Sequence, residues 1–140
     1  AISLSRPRPL DPADLAAALD ALSPALCDCA VIVASQSPVV VEAVDAATRR
    51  GIAVLVNRPF REGALLRALQ RHPLPGWAKE IDSTSWAQLV LKYIVAHPAV
   101  TCAIPATSQP AHVRENMAAA TGRLPDEALR QRIAQHIAKL

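Results

Sequence analysis

Residues Trp86–Asn116 read WAQLVLKYIVAHPAVTCAIPATSQPAHVREN and contain an apolar helix, a short buried strand and the start of a second helix. His97-Pro98 ends the first helix, because a residue before proline is driven out of the helical region. Ile104-Pro105 then turns the chain into a polar loop that leads to Pro110, at the first turn of the next helix. Such a turn, between the end of a strand and a helix N-terminus, is where α/β proteins hold phosphates.

Short apolar runs alternate with helical patterns along the rest of the chain. The apolar runs predict parallel strands covered on both faces, at Ile2–Ser5, Ala30–Ala34, Ile52–Val56 and Val100–Ile104. Apolar spacing and caps predict helices at Leu10–Leu22, Val39–Arg50 with Gly51 as its stop, Ala64–Gln70, a helix capped by Ser83, Thr84 or Ser85 that runs to about Ala96, Pro110–Ala120 and Pro125–Ala138. The residues predicted to face the core are Val113, Met117 and Ala120 in the fifth of these helices and Leu129, Ile133, Ile137 and Leu140 in the last. The chain is therefore predicted to be an α/β protein of four parallel βα units plus a terminal helix. Four units make a small open sheet or half of an eightfold barrel, since a closed barrel needs about 250 residues.

The composition narrows the class of function. The chain has 140 residues, is 51% apolar and carries a net charge of +3. Its basic residues are scattered, so no stripe for nucleic acid is expected. No apolar run reaches membrane-spanning length, and no signal pattern opens the chain. The three cysteines, an odd number without a CxxC pair, predict reduced thiols in the cytoplasm and no metal site.

Two stretches resemble the C-terminal half of the aldo-keto reductases. They are GIAVLVNRPF at Gly51–Phe60 and the stretch Ser85–Asn116, with its HPAV, Ile104-Pro105, Pro110 and Glu115-Asn116. The resemblance implies units five to eight of a TIM-type (β/α)8 barrel plus the terminal helix, with residues 1–140 forming one domain. It also implies NADPH-dependent carbonyl reduction in the full-length protein, with the adenosine end of the cofactor bound by the last strand-loop-helix.

The resemblance assigns cofactor contacts residue by residue. It places Thr107 and Ser108 in the loop after the last strand, His112 where the family often has the arginine for the 2′-phosphate, and the pair Glu115-Asn116 at adenine. Ser5 falls where the family holds the nicotinamide carboxamide. From the residues alone, the hydroxyls before Pro110 either bind an anion or simply cap the helix.

Several positions depart from the pattern of the family. Val31 replaces its glutamine and Asn57 replaces the aromatic that stacks on nicotinamide. Arg58 follows, and with Arg6 it would place two guanidinium groups at the ends of neighbouring strands. These two arginines either bind phosphate or carboxylate, or pair with acidic residues from outside this chain.

No catalytic residue is predicted in this chain. Reduction in this family needs a Tyr, Lys, Asp and His that belong to the first half of the barrel. The tyrosine present, Tyr93, lies in an apolar helix and is predicted to pack, and His72, His97 and His136 are predicted at the surface.

Three functions stay open on the sequence alone. The chain is a portion of a longer NADP-dependent oxidoreductase, a degenerate half-barrel for binding or assembly, or a nucleotide-binding module of four βα units. In isolation we expect weak or lost NADP(H) binding, because half of the cofactor contacts are missing. We expect the missing N-terminal half-barrel or a second copy, in a homodimer, to cover the exposed strand edges.

Overall fold

The protein is an α/β structure with parallel strands. The structure, a computed structural model, describes residues 2–3, 29–33 and 38–140, with side chains from residue 44 onward. The elements in chain order are β1 Ile2–Ser3, β2 Cys29–Val33, α1 Pro38–Arg49, β3 Ala53–Asn57, α2 Ala64–Leu69, a 3₁₀ helix Gly76–Ile81, α3 Trp86–Val95, β4 Val100–Ile104, α4 Pro110–Ala118 and α5 Glu127–Ile137. The helix predicted at Leu10–Leu22 lies outside the described residues.

The sheet follows the order of the chain. Its four strands pair in parallel as β1-β2-β3-β4, so each strand lies next to the one that precedes it in sequence. The predicted strands are confirmed within one or two residues wherever the structure describes them. A register shift interrupts the β3–β4 pair, where the Val54 N–H donates to the Thr101 hydroxyl at 3.1 Å.

Strand β4 differs from the prediction that all strands are covered on both faces. Thr101, Cys102 and Ile104 are exposed, whereas Val54 and Val56 of β3 are buried. Among the described strands, β4 pairs with β3 alone, so it lies at an edge of the sheet. Apolar composition predicted the strand correctly but did not reveal its edge position, because a covered strand and an edge strand can share the same apolar run.

The chain separates into two compact units. The first contains the four strands and α1, within residues 1–57 and 98–104. The second contains residues 58–97 and 105–140, and therefore α2, the 3₁₀ helix, α3, α4 and α5. The interior of the second unit is apolar and includes Leu69, Ile81, Leu89, Leu91, Ile94 and Ile133. The single-domain organisation of residues 1–140 stays a prediction.

Helix α3 begins at the last of the three caps that the sequence offers, Ser83, Thr84 and Ser85. The Ser85 hydroxyl accepts a hydrogen bond from the Gln88 N–H at 3.3 Å, so Ser85 is the N-cap. Nearly all of the helix is buried, including Leu89 with no exposed surface, and Ala96 ends it just before His97-Pro98. Helix α3 is therefore the central element of the second unit.

Helix α5 is shorter than its apolar pattern predicted. Asp126 caps it by accepting from the Leu129 N–H at 2.8 Å, and Ile133 is fully buried. Leu140 lies beyond the helix end and is 45% exposed, so the predicted apolar face stops before it. His136, predicted at the surface, is half-buried, and its ring stacks on Trp86 at 6.1 Å.

The 3₁₀ helix was not predicted. Pro73, Pro75 and Gly76 indicate a loop, and the loop is indeed present before Gly76. The following residues then form a tight helical turn that buries Ala78 and Ile81. A run this short carries too little periodicity for the sequence to reveal it.

Two glycines adopt the left-handed conformation at helix ends. Gly51 follows α1 with φ 66°, which confirms it as the predicted stop. Gly122 follows α4 with φ 74°, and a Cβ there would lie only 2.7 Å from the Asp82 Oδ2 atom. Glycine at 122 thus lets Asp82 reach the turn after α4.

Candidate functional site

The start of α4 lacks a side-chain cap. The N-cap is Gln109, and no hydrogen bond from a side chain of the described residues caps the helix there. The Thr107 hydroxyl instead accepts from the Gln109 N–H at 3.2 Å, which fixes the loop ahead of the helix. Pro110 has no N–H, so Ala111 and His112 present the backbone donors of the first turn. The interpretation of Thr107 and Ser108 as simple caps is therefore wrong.

The predicted adenosine-binding residues lie along α4. His112 is exposed, while Glu115 and Asn116 are half-buried. The Asn116 side-chain amide donates to the Pro105 carbonyl at 3.5 Å, a long bond that links the helix to the loop before it. The loop and the helix face that carry these residues are thus joined through Asn116.

The face of α4 that packs inward differs from the predicted one. Val113, Met117 and Ala120 were predicted to face the core, but Val113 is 46% exposed and Met117 is 65% exposed. Ala119, just past the helix, is buried instead. Apolar and polar residues are spread around α4, so its pattern does not determine which side packs.

Helix α3 supplies two buried polar side chains beside α4. Gln88 is 7% exposed, and its Oε1 accepts from both the N–H and the hydroxyl of Thr84, each at 2.9 Å. The Gln88 Nε2 donates to the Glu115 carbonyl at 3.5 Å. The second side chain, Lys92, is one helical turn further on.

Lys92 is fully buried and holds the turn after α4. Its Nζ donates to the Thr121 carbonyl at 2.6 Å and to the Arg123 carbonyl at 2.9 Å. Burial lowers the pKa of Lys92, and the negative charge of Asp82 opposes this effect. Asp82 also accepts from the Arg123 N–H at 3.0 Å, so both groups secure the same turn.

Arg58 follows β3 in an unusual turn. Its φ is 50°, and Arg61 and Glu62 also adopt positive φ. The Arg58 guanidinium forms an ion pair with Glu62 at 3.0 Å, between side chains that are 49% and 71% exposed. Arg58 thus has an acidic partner within this chain. The predicted residues Ser5 and Arg6 lie outside the described residues.

Tyr93 takes part in packing. It is half-buried, the Arg130 guanidinium lies 5.0 Å from its ring centre, and its carbonyl accepts from the Arg130 Nε at 3.3 Å. Within the described ranges, no three His, Cys, Asp or Glu residues cluster as metal ligands would. In the same part of the chain, every helix is too short or too polar to cross a bilayer.

A comparison with models of protein families identifies the family of this chain. The model of the aldo/keto reductase family matches residues 42–137, which is more than half of the chain. The chain belongs to the aldo/keto reductase family. This is a family of oxidoreductases, and the matched range includes Arg58 and all of α4. No curated protein and no solved structure matches the chain significantly.

Two polar residues beside the site were not predicted. Gln88 stands three residues after the N-cap Ser85, the spacing of a capping box, so the sequence did contain a signal for it. Lys92 interrupts an apolar run and reads as a surface residue. Its partners Thr121 and Arg123 are about thirty positions away, and only the fold brings them together.

Proposed function

We propose that this aldo/keto reductase chain is the C-terminal, NADP-binding portion of a carbonyl reductase. It binds the adenosine end of NADPH, and the groups that protonate the carbonyl oxygen belong to the missing half of the barrel. The cofactor supplies the hydride in the full-length protein. The observation that carries the proposal is the start of α4, where backbone donors are left without a side-chain cap.

The chemistry of this helix start fits a phosphate. Backbone N–H groups at a helix N-terminus carry a partial positive charge and bind anions. The Thr107 and Ser108 hydroxyls precede the helix, and His112 stands on its first turn. One turn later, Glu115 and Asn116 carry the acceptor and donor atoms that an adenine edge requires. In this proposal these residues bind and orient the cofactor, and they move no proton.

The strand order supports the barrel part of the proposal. In a TIM-type barrel each strand is added beside the one before it. In doubly wound sheets the order reverses at a switch point. The order β1-β2-β3-β4 contains no reversal, and all its pairs are parallel. Four βα units forming half of a barrel are therefore favoured over an open doubly wound sheet.

Titration with adenosine 2′,5′-bisphosphate tests the cofactor proposal. We expect the chain to bind it weakly, with a Kd of about 0.1–1 mM, because half of the cofactor contacts are missing. His112→Ala is expected to weaken binding about threefold or more, through loss of a contact to the phosphate. Isothermal titration calorimetry measures both values, with NADPH and NADH as further ligands.

Arg114→Ala is the matched control for this titration. It removes a full positive charge from the same helix, but Arg114 is not on the face that carries His112, Glu115 and Asn116. We expect its effect to stay below about twofold. An equal loss in both variants would mean a general charge effect, and no binding to the wild-type chain would rule out the adenosine site.

A second candidate function is assembly by a degenerate half-barrel. The observation that favours it is apolar exposure in each of the two units. Ile104 of the edge strand β4 in the first unit, and Val113 and Met117 of α4 in the second, are each more than 40% exposed. The missing half of the barrel or a second copy of the chain would cover such surface. Whether a second copy of the chain covers this surface can be tested with this chain alone.

Light scattering distinguishes these cases. We expect a homodimer whose apparent mass falls on dilution, and Met117→Lys is expected to weaken it about tenfold or more. Leu140→Lys is the control, because Leu140 is 45% exposed but lies beyond the end of α5 and not on α4. A monomer at every concentration would exclude the homodimer and leave the missing half-barrel as the partner.

A further inference from the structure

Gln88 links α3 to α4 through a buried amide. Both ends of this amide are used. Its oxygen accepts twice from Thr84, and its nitrogen donates to the carbonyl of Glu115. The Thr84 N–H can only donate, so it fixes the Gln88 oxygen on its own side and directs the NH₂ group towards α4.

The acceptor for the Gln88 NH₂ group is the Glu115 carbonyl, in the last turn of α4. At the end of α4 the last turn tightens, and the Ala119 N–H bonds to the Asn116 carbonyl at 3.1 Å instead of to Glu115. The Glu115 carbonyl thus receives no bond from the Ala119 N–H, and the Gln88 Nε2 approaches it at 3.5 Å. A buried amide whose two ends are both bonded holds its partners in place more firmly than apolar contact alone.

We infer that Gln88 is the positioning residue of the cofactor-tail site. The carbonyl that it binds belongs to the peptide between Glu115 and Asn116, the two residues proposed to meet adenine. Gln88 therefore fixes the rotation of α4 about its axis, and its position along that axis, at Glu115. It does so without touching the cofactor. This inference rests on the proposed function, since it concerns the same helix face.

Two variants and one control test the inference in the full 140-residue chain. Gln88→Met keeps the volume but loses both hydrogen-bonding ends, and Gln88→Asn keeps an amide that is too short to span from Thr84 to α4. Thr84→Val removes the hydroxyl bond to Gln88 and leaves the contact with Glu115 unchanged. Calorimetric titration with adenosine 2′,5′-bisphosphate gives the affinities, and hydrogen exchange reports on α4 directly.

Both Gln88 variants are expected to bind the bisphosphate about five- to tenfold more weakly, and Thr84→Val within about twofold of wild type. Exchange of the α4 amides should rise in the Gln88 variants while the α5 amides keep their protection. Equal affinity in wild type and both Gln88 variants would overturn the inference while the proposed function stands. Failure of the wild-type chain to bind would reject the proposed function itself. An equal loss of affinity in Thr84→Val would also overturn the inference, because general destabilisation would then explain the weaker binding.

Discussion

Trp86→Ala is expected to lower the free energy of unfolding by about 3–5 kcal/mol, the usual cost of removing a large buried aromatic side chain. Trp86 is 5% exposed and is the first residue of α3. Its ring stacks on His136 with an interplanar angle of 15°, and its Nε1 donates to the His72 carbonyl at 3.0 Å. The substitution therefore removes one contact between α3 and α5 and the hydrogen bond to the loop before the 3₁₀ helix.

Two further variants separate the contributions of Trp86. Trp86→Phe keeps most of the apolar ring but loses the bond to His72, so we expect a cost of about 1–2 kcal/mol. Trp77→Ala is the control, because the half-exposed Trp77 meets the same His136 ring edge-on at 5.5 Å, and we expect a loss of about 1 kcal/mol. Urea unfolding followed by far-ultraviolet circular dichroism gives all three values. A loss for Trp86→Ala no larger than that for Trp77→Ala would contradict this account of the core.

Lys92→Met is expected to cost about 2–3 kcal/mol of stability, because two carbonyls lose a charge-assisted donor. The Met side chain replaces the buried stem of Lys92, so packing is largely kept and the loss reports on the ammonium group. The carbonyls of Thr121 and Arg123 belong to exposed residues, and water can replace part of the loss. Urea unfolding, followed in the same way, measures the change in the free energy of unfolding. An unchanged or raised stability would show that the cost of burying the ammonium exceeds the value of its bonds.

The pH dependence of this difference follows from the pKa of Lys92. Burial lowers that pKa in the folded chain below its ordinary value of about 10.4. At a pH between the lowered pKa of the folded chain and the ordinary pKa of the unfolded chain, Lys92 is protonated more fully in the unfolded chain. The stability of the wild type therefore increases as the pH rises through this range. The stability difference between wild type and Lys92→Met should therefore widen from the lowered pKa up to about pH 10.4. A difference that narrows over this range would contradict burial as the dominant effect.

Local chemistry made several elements predictable. The run Val100–Ile104, set between a proline and a polar loop, is the strand that the structure contains. Ser85 and Gly51 mark helix ends because a hydroxyl cap and a left-handed glycine act within one turn of the chain. The parallel pairing also follows from the alternation of strands and helices, which leaves each connection long enough to cross over.

The sequence by itself determined the α/β class, the bounds of the described strands and α-helices within a few residues, and the resemblance that the family comparison confirmed. Only the tertiary structure decided which face of α4 is buried, that β4 is an edge, that Gln88 and Lys92 are interior groups, and that His136 packs on Trp86. The physical reason is distance along the chain. Caps and periodicity depend on neighbours a few residues away, whereas a buried polar group depends on partners such as Arg123 for Lys92, 31 positions apart.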